Sequence, residues 1–360
     1  MTDDTQARPT GGESATATGG CAGPALARLD RPRSDPPVTV AVLADPHVAV
    51  DATGTWKVYH RTRVRLRTAV AAANARADAA VVAGDLTRNG RPAEFDAVDE
   101  VLANLDVPWA AIPGNHDVSK AFDEHEMPPV GAFADRYDDP PFAREVGEVT
   151  LLCLDTASAD GALRDSWGGR VGERQRAWLA DRLAAAANPV VVLHHPVAAL
   201  PDRPEGPRWR NFNVVDAEDV AACLAAHDAP LVVSAHQHVP AVRSHISIPD
   251  AEGDASPPRP QSARESASDT GTPSAGTVEV LAPATCSFPQ ASLHVEVDPH
   301  GATLRLVPLA DRAGVAEAHG LARDGKPLGR TVLELVERRL ADLRPRLAGG
   351  TALDAPVQRD

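Results

Sequence analysis

Lysine is nearly missing from this 360-residue chain: Lys57, Lys120 and Lys326 are the only ones, and arginine supplies the rest of the 36 basic residues. Set against 50 acidic residues, they leave a formal net charge of −14. That balance excludes the broad basic face with which proteins grip nucleic acid or anionic lipid. It leaves room for a small positive site made by metal ions. The lysine deficit is open to two readings, a salty cytoplasm or GC-rich coding. Cysteine is scarce too. Cys21, Cys153, Cys223 and Cys286 form no CxxC pair and no dense framework, which excludes a disulfide-stapled scaffold and points to reduced thiols in an intracellular protein. No apolar run nears the roughly 18–20 residues that span a bilayer. The opening "MTDDTQARPTGGESATATGG" has no apolar stretch of the kind a secretory signal carries. "GGCAG" around Cys21 falls short of a lipidation box for the same reason. A soluble cytoplasmic protein without membrane contact is expected.

What is present is enough for a substantial core, with 43% hydrophobic residues. Residues 1–36, rich in Gly, Thr, Pro and Asp, read as a disordered leader, and 248–276 as a disordered insertion. One domain is expected over 37–310, because strand pattern resumes after the insertion, followed by a helical extension over 311–360 that packs on the domain or on a second subunit in a homo-oligomer. Short apolar runs at 38–44, 79–84, 109–114, 149–155, 189–194 and 229–235 are strand-like and Val-rich, as strands covered on both faces should be. Further strands are expected at 278–282 and, joined by a turn at "DPHG", within 292–309. Helical patterns fall at 61–77, 92–105, 172–187, 216–227 and 330–347, with Asp216 placed to cap the fourth. The alternation predicts an α/β fold, helices outside mixed sheets.

The polar residues fall where the strands end. Asp45 and His47, Asp85, Asn115 with His116 and Asp117, His194 with His195, and His236 with His238 each follow an apolar run. Alone, each set has an ordinary explanation: a strand-end Asp is commonly a turn former or helix cap, and a histidine before Pro196 suits a satisfied core. Five sets at the same end of five strands are harder to explain that way, because ligands of α/β sheets bind outside the carboxyl ends of the strands. Carboxylates, imidazoles and one amide oxygen, without cysteine, are ligands for borderline or hard divalent metals such as Mn, Fe, Zn, Co or Ni. Their number suits a two-metal centre.

In order, Asp45-Pro46-His47, Gly84-Asp85, Gly114-Asn115-His116-Asp117, His194-His195-Pro196 and Ala235-His236-Gln237-His238 resemble the DxH, GD, GNH[DE], HxP and GHxH signature of the calcineurin-like metallophosphoesterases. The stretches "GDLTRNGRPAEF", "VPWAAIPGNHD", "LLCLDT" and "GERQRAWLADRL" look most like the branch holding class III cyclic nucleotide phosphodiesterases and glycerophosphodiesterases. The resemblance implies a layered α/β/β/α fold with its site at the carboxyl ends of the strands. It implies that Asp45, His47 and His238 hold one divalent ion, that Asn115, His194 and His236 hold a second, and that Asp85 bridges them. His195 is then a bystander. His116 faces the substrate as an imidazolium that assists the departing oxygen, and Asp117 orients its ring. Ala235 stands where the family has glycine, a change that is nearly harmless if the position is extended.

The activity so implied is hydrolysis of a small phosphodiester, a cyclic nucleotide or glycerophosphodiester, by a metal-bridging hydroxide. Arg88 or Arg210 is a candidate to assist. The alternatives are a phosphomonoesterase, a nucleotide pyrophosphatase, or an interaction module on the same fold. No nucleic-acid partner is expected. Specificity is expected from 196–215, where Trp209, Asn211 and Phe212 suit either substrate contact or loop packing.

Overall fold

The computed structural model describes residues 23–120, 131–158, 167–200, 202, 204, 212–244 and 276–348. Two six-stranded sheets lie face to face. The first has a parallel half, β2 (Val38–Leu43), β3 (Ala79–Ala83) and β4 (Trp109–Ile112). Beyond β2 it continues antiparallel through β11 (Ala291–Asp298) and β12 (Gly301–Pro308) to β1 (Ala25–Leu29). The second runs β5 (Phe142–Val146), β6 (Val149–Cys153), β7 (Pro189–Val192), β8 (Leu231–Ser234), β10 (Val278–Leu281) and β9 (Ala241–Ser244), antiparallel only at its two edges.

The continuous apolar runs become intelligible once their period of two is followed. In β2, Val40 and Val42 point between the sheets, while Ala41 and Leu43 point outward. In β7, Val190 and Val192 face inward and Val191 outward. Both directions are dry, because helices cover the outer faces. Helices α1 (Thr62–Arg76) and α2 (Pro92–Leu102) put Leu66, Val70, Phe95 and Val98 over the first sheet. Helices α4 (Gly172–Ala185) and α5 (Ala217–Ala226) put Leu179, Leu183, Val220 and Leu224 over the second. The short α3 (Ala132–Arg136) joins the first layer through Phe133. Each fully buried Val or Leu contributes about 1.5–3 kcal/mol. The result is the four-layered α/β/β/α arrangement.

Two sequence expectations, the disordered leader and the Asp216 cap, need correction, and three elements, two edge strands and a helix inside the expected C-terminal extension, were not placed individually by the sequence. Strand β1 lies inside the expected leader: "ALARL" pairs antiparallel with β12, from Ala25 opposite Arg305 to Leu29 opposite Ala302. Composition missed it because an edge strand needs only a partner's exposed backbone, here about 275 residues away in the chain. Edge strands β5 and β9 are short and partly charged, and carry too weak an alternation to be read. Helix α6 (Arg312–Arg323) precedes α7 (Pro327–Ala348), and its signal was in the sequence, since the Asp311 carboxylate accepts from Gly314 N at 2.8 Å. Asp216 does not cap its own helix; its carboxylate accepts from Val171 N and Gly172 N, 3.1 and 2.8 Å, at the start of α4.

Most of the expected insertion, and residues 1–22, lie outside the described residues. The insertion's flanks are neighbours, with Val278 of β10 opposite Ser244 of β9. The C-terminal extension packs on the domain: Val332, Leu335 and Val336 of α7 are buried with Leu200, Val239 and Leu281. Cys153, Cys223 and Cys286 are free thiols. No helix among the described residues is long and apolar enough to cross a membrane.

Candidate metal centre

The strand-end motifs converge. Nε2 of His47 lies 3.3 Å from Nε2 of His238, 3.3 Å from Asp85 Oδ2 and 3.9 Å from Asp45 Oδ1. Asp45 Oδ1 is 3.4 Å from His238 Nε2. Donor atoms that share one ion at about 2.1 Å stand roughly 3.0–3.4 Å apart, so three of these four separations suit a common cation. On the other side of Asp85, its Oδ1 is 3.4 Å from His194 Nε2. His194, Asn115 and His236 are buried beside it. Asp45 Oδ1, Asn115 Oδ1, His194 Nε2 and both ring nitrogens of His236 are buried without a hydrogen-bond partner. Unpaired buried polar atoms are costly. Here they sit together, and each of these four residues has a lone pair to offer, the chemistry that divalent cations satisfy.

Backbone strain collects at the same residues. Asp45, His47, Asp85, His236 and His238 all have positive φ, between 43° and 65°. Such a conformation is uncommon for a residue with a side chain and persists only where the surroundings enforce it. The turns carrying the ligands are stitched together: Asp45 N donates to Gly84 O, His47 N to Asp85 O, and Val48 N to Leu86 O, at 3.2, 2.8 and 2.9 Å. Two motif glycines have a steric cause. A Cβ on Gly84 would lie 2.4 Å from the His194 ring, and one on Gly114 would lie 2.2 Å from Asp85. Ala235 is not among the residues with positive φ, which fall instead on the two histidines after it.

Three of the four ligand imidazoles are held neutral. Burial holds His47, His236 and His238 well below the ordinary histidine value. Burial also acts to lower His194, but the facing Asp85 carboxylate overrides it and raises the ring to about 9. Burial opposes ionisation of Asp85 too, yet His194, His116 and His47 hold it well below the usual carboxylate range. Burial lifts Asp45 to about 7 against the pull of His194, with repulsion from Asp85 adding to the rise. Nδ1–H of His194 donates to Ala83 O at 2.8 Å, which leaves Nε2 facing the site. Nδ1 of His238 pairs with Ser287 Oγ at 2.8 Å.

Two roles differ from those the motifs imply. Asp117 does not touch the His116 ring. Its carboxylate accepts from Leu86 N, Thr87 N, Thr87 Oγ1 and Gly114 N at 2.8–3.0 Å, clamping the Asp85 turn to the Asn115 turn. The His116 ring is oriented by backbone instead: Nδ1–H donates to Arg88 O at 2.6 Å. Burial, helped by Lys57, lowers His116 to about 4, so the imidazolium form is disfavoured. His195 engages both ring nitrogens, on Thr156 Oγ1 at 2.8 Å and Trp167 O at 3.0 Å, although it also stands close enough to His194 and His236 to share an ion with them. The Arg88 guanidinium packs over Tyr59, 4.5 Å from its ring centre. Arg210, Trp209 and Asn211 lie outside the described residues.

The clustered side chains open into a cleft of about 390 Å³ lined by Asp85, Asn115, His116, His236 and His238 on its polar side. Its remaining wall includes residues that sequence reasoning missed: Trp56, Lys57, Trp167, Leu328 and Val332. None carries a motif. Only the scarcity of lysine gave a hint, since one of the three, Lys57, places Nζ 2.8 Å from His47 Nε2.

The chain is similar to known proteins over part of its length. It is 32% identical over 127 residues to the glycerophosphodiester phosphodiesterase GpdQ of Enterobacter lignolyticus, covering 35% of this chain and 44% of that protein. A probable cyclic nucleotide phosphodiesterase of Rhodococcus erythropolis is 31% identical over 202 residues, 51% of this chain and 62% of that one. The chain thus matches less than two thirds of the length of either. A purple acid phosphatase from yellow lupin seeds superposes with a TM-score of 0.50 at 11% identity, over 76% of this chain and 52% of that one, a likeness of fold alone. Residues 38–240, which run from the strand before Asp45 to just past His238, match the family model for calcineurin-like phosphoesterases. With that match spanning all five ligand motifs and more than half of the chain, the protein belongs to the calcineurin-like phosphoesterase family.

Proposed function

We propose that this chain is a dinuclear metal-dependent phosphodiesterase acting on a small phosphodiester. The observation that carries the reading is the position of Asp85: Oδ2 faces His47 at 3.3 Å and Oδ1 faces His194 at 3.4 Å, so one carboxylate serves two donor groups. Asp45, His47 and His238 would hold one ion, Asn115, His194 and His236 the other, with Asp85 shared. When bound, two divalent ions lower the pKa of water toward neutrality and offset charge on the phosphoryl oxygens. The protein's own part is orientation and proton transfer. Ala83 O and Ser287 fix the His194 and His238 rings. His116, held neutral with its Nδ1–H on Arg88 O, has a lone pair on Nε2. It can take a proton from the attacking water and return it to the departing oxygen, a role typically worth about 10²–10⁴ in rate.

Support for a diester over a monoester comes from the phosphodiesterase names of the relatives. The acidic chain suits a small substrate, drawn to the ions, better than nucleic acid. The cytoplasm is the proposed setting. The test is hydrolysis of bis(p-nitrophenyl) phosphate beside p-nitrophenyl phosphate, by metal-stripped protein titrated with Mn, Zn or Fe. Metal-dependent preference for the diester is expected. Preference for the monoester makes the chain a phosphatase, and no turnover of either with both ions bound favours an interaction module.

A further inference from the structure

Glu279 is a fully buried carboxylate that belongs to none of the ligand motifs. It sits on β10, where Val280 points between the sheets and its neighbours Glu279 and Leu281 point to the opposite face. One carboxylate oxygen accepts from Val197 N and from Ser234 Oγ, both at 2.9 Å, and the other accepts from Ala198 N at 2.8 Å. Arg243 stands opposite Glu279 in β9. Burial pushes the carboxyl above its ordinary value, while the Ala198 and Val197 amides, the Ser234 hydroxyl and the Arg243 charge act the other way.

These bonds reach across three strands, since β8 lies between β7 and β10 in the second sheet. Val197 and Ala198 belong to the turn that leaves β7 through His194, and Ser234 closes β8 just ahead of His236. One carboxylate therefore joins the two segments that carry His194 and His236, whose rings stand 5.1 Å apart, centre to centre, at 70°. Backbone bonds tie the same segments from within the sheet: Ala235 N donates to His194 O at 2.9 Å, and Ala282 N to Ser234 O at 2.7 Å. Past Pro196 the chain has left the ladder, and its two buried amide donors need an acceptor from elsewhere. Glu279 supplies it.

The histidine that gains most from this clamp is His236. A metal-bound imidazole is ordinarily oriented through its other ring nitrogen. His194 and His238 have that support, from Ala83 O and Ser287 Oγ. Among the described residues His236 has no hydrogen-bond partner at either ring nitrogen, so its ring is placed by the backbone beneath it, at φ 65°. An anchor on Ser234, two residues upstream, is therefore an anchor on His236. Stability alone does not call for a charge there, because a buried ion commonly contributes no more than an apolar side chain of its size. Glu279 also lies beyond the 38–240 stretch that matches the family model, in the part of the chain that returns after 248–276.

We propose that Glu279 is a positioning residue for the second metal ion: by holding the turn after His194 and the strand end before His236 on one carboxylate, it sets the spacing of the two imidazoles. The proposal rests on the dinuclear reading and adds to it a residue outside the ligand motifs that acts on one ion and not the other.

The test titrates the metal-stripped full chain with Mn²⁺ by calorimetry, and the step belonging to the second ion is the one that His194→Ala abolishes. Glu279→Gln puts an amide N–H where an acceptor is needed. It should weaken that step by at least about tenfold, the size expected when an outer partner of a metal ligand is lost, and leave the other step unchanged. Ser234→Ala removes the arm toward His236 alone and should weaken the same step by a smaller factor, which keeps the test open if Glu279→Gln does not fold. Val280→Ala, on the same strand, opens a hole between the sheets without touching the clamp. Its melting temperature should fall while both steps keep their affinity. Turnover of bis(p-nitrophenyl) phosphate by Glu279→Gln should recover as Mn²⁺ is raised, because Glu279 is not among the residues that line the cleft. Equal weakening of both steps, the same split in Val280→Ala, or unchanged binding in both Glu279→Gln and Ser234→Ala overturns the positioning role and leaves the dinuclear reading in place. So does a loss of turnover that persists with both ions bound. Fewer than two ions in the wild type overturns the dinuclear reading, and the proposal with it.

Discussion

Nζ of Lys57 lies 2.8 Å from Nε2 of His47, the nitrogen whose lone pair a first ion would need. Lysine and metal therefore compete for one atom. Lys57→Met should raise the affinity for the first ion roughly tenfold, since a like charge at close range in a partly wet cleft is worth on the order of 1–4 kcal/mol. Calorimetric titration of stripped protein with Mn²⁺ reads the difference. Equal affinities would mean that the side chain swings clear without cost.

Two adjacent histidines should separate cleanly. His194→Ala removes a donor whose Nε2 is buried and unpaired, and should cost one bound ion. His195→Ala should keep both ions, because each ring nitrogen is already engaged. Its cost is structural: the Trp167 carbonyl loses the ring N–H and Thr156 Oγ1 keeps only the backbone N–H of position 195, roughly 1–3 kcal/mol in all. Metal analysis and thermal melts on the pair check this, and loss of metal from His195→Ala would return that ring to the ligand set.

Gly84→Ala places a side chain at φ 86°, with its Cβ 2.4 Å from the His194 ring. Strain of about 1–3 kcal/mol at the backbone adds to displacement of a ligand. The expected result is a lower melting temperature together with weaker binding of the second ion. Ala235→Gly, at a buried position without positive φ, should cost only about 1 kcal/mol through added chain entropy. Nearly equal stabilities for the two variants would count against the steric account.

His116→Asn should lower kcat by about 10²–10⁴ and leave metal content intact, because no ligand is removed. The same ring makes a pH prediction. Its folded pKa, about 4, lies below the ordinary 6.5, so the fold favours the neutral form. That contribution is fully present above pH 6.5 and is lost as pH falls through about 4. Metal-free wild type should therefore lose more stability than metal-free His116→Asn between pH 7 and pH 4, measured by urea unfolding. Equal losses would mean that the ring is not held neutral.

Val-rich runs such as "VTVAVLA" and "PVVVLH" were legible as strands because both of their faces are covered, and each runs directly into a ligand motif. The ligand group was legible because its members are tied to those ends. Contacts between distant positions were not. "ALARL" becomes a strand only because β12 has an open edge. Asp117 is spaced to serve its neighbour His116, yet its carboxylate goes to three amides and a hydroxyl that the folded turns bring closer. Leu328 and Val332 read as ordinary helix-face residues until the fold sets them beside Trp56, about 270 positions earlier.

The central claim is that Asp85 is shared between two ions, and the most direct measurement is metal content per chain. Wild type and Asp85→Asn, reconstituted with Mn²⁺ and freed of excess metal, would be analysed by elemental mass spectrometry beside hydrolysis of bis(p-nitrophenyl) phosphate. The account expects two ions in the wild type, and loss of at least one ion and of turnover in the variant. One ion in a fully active wild type, or two ions retained by Asp85→Asn, would contradict it.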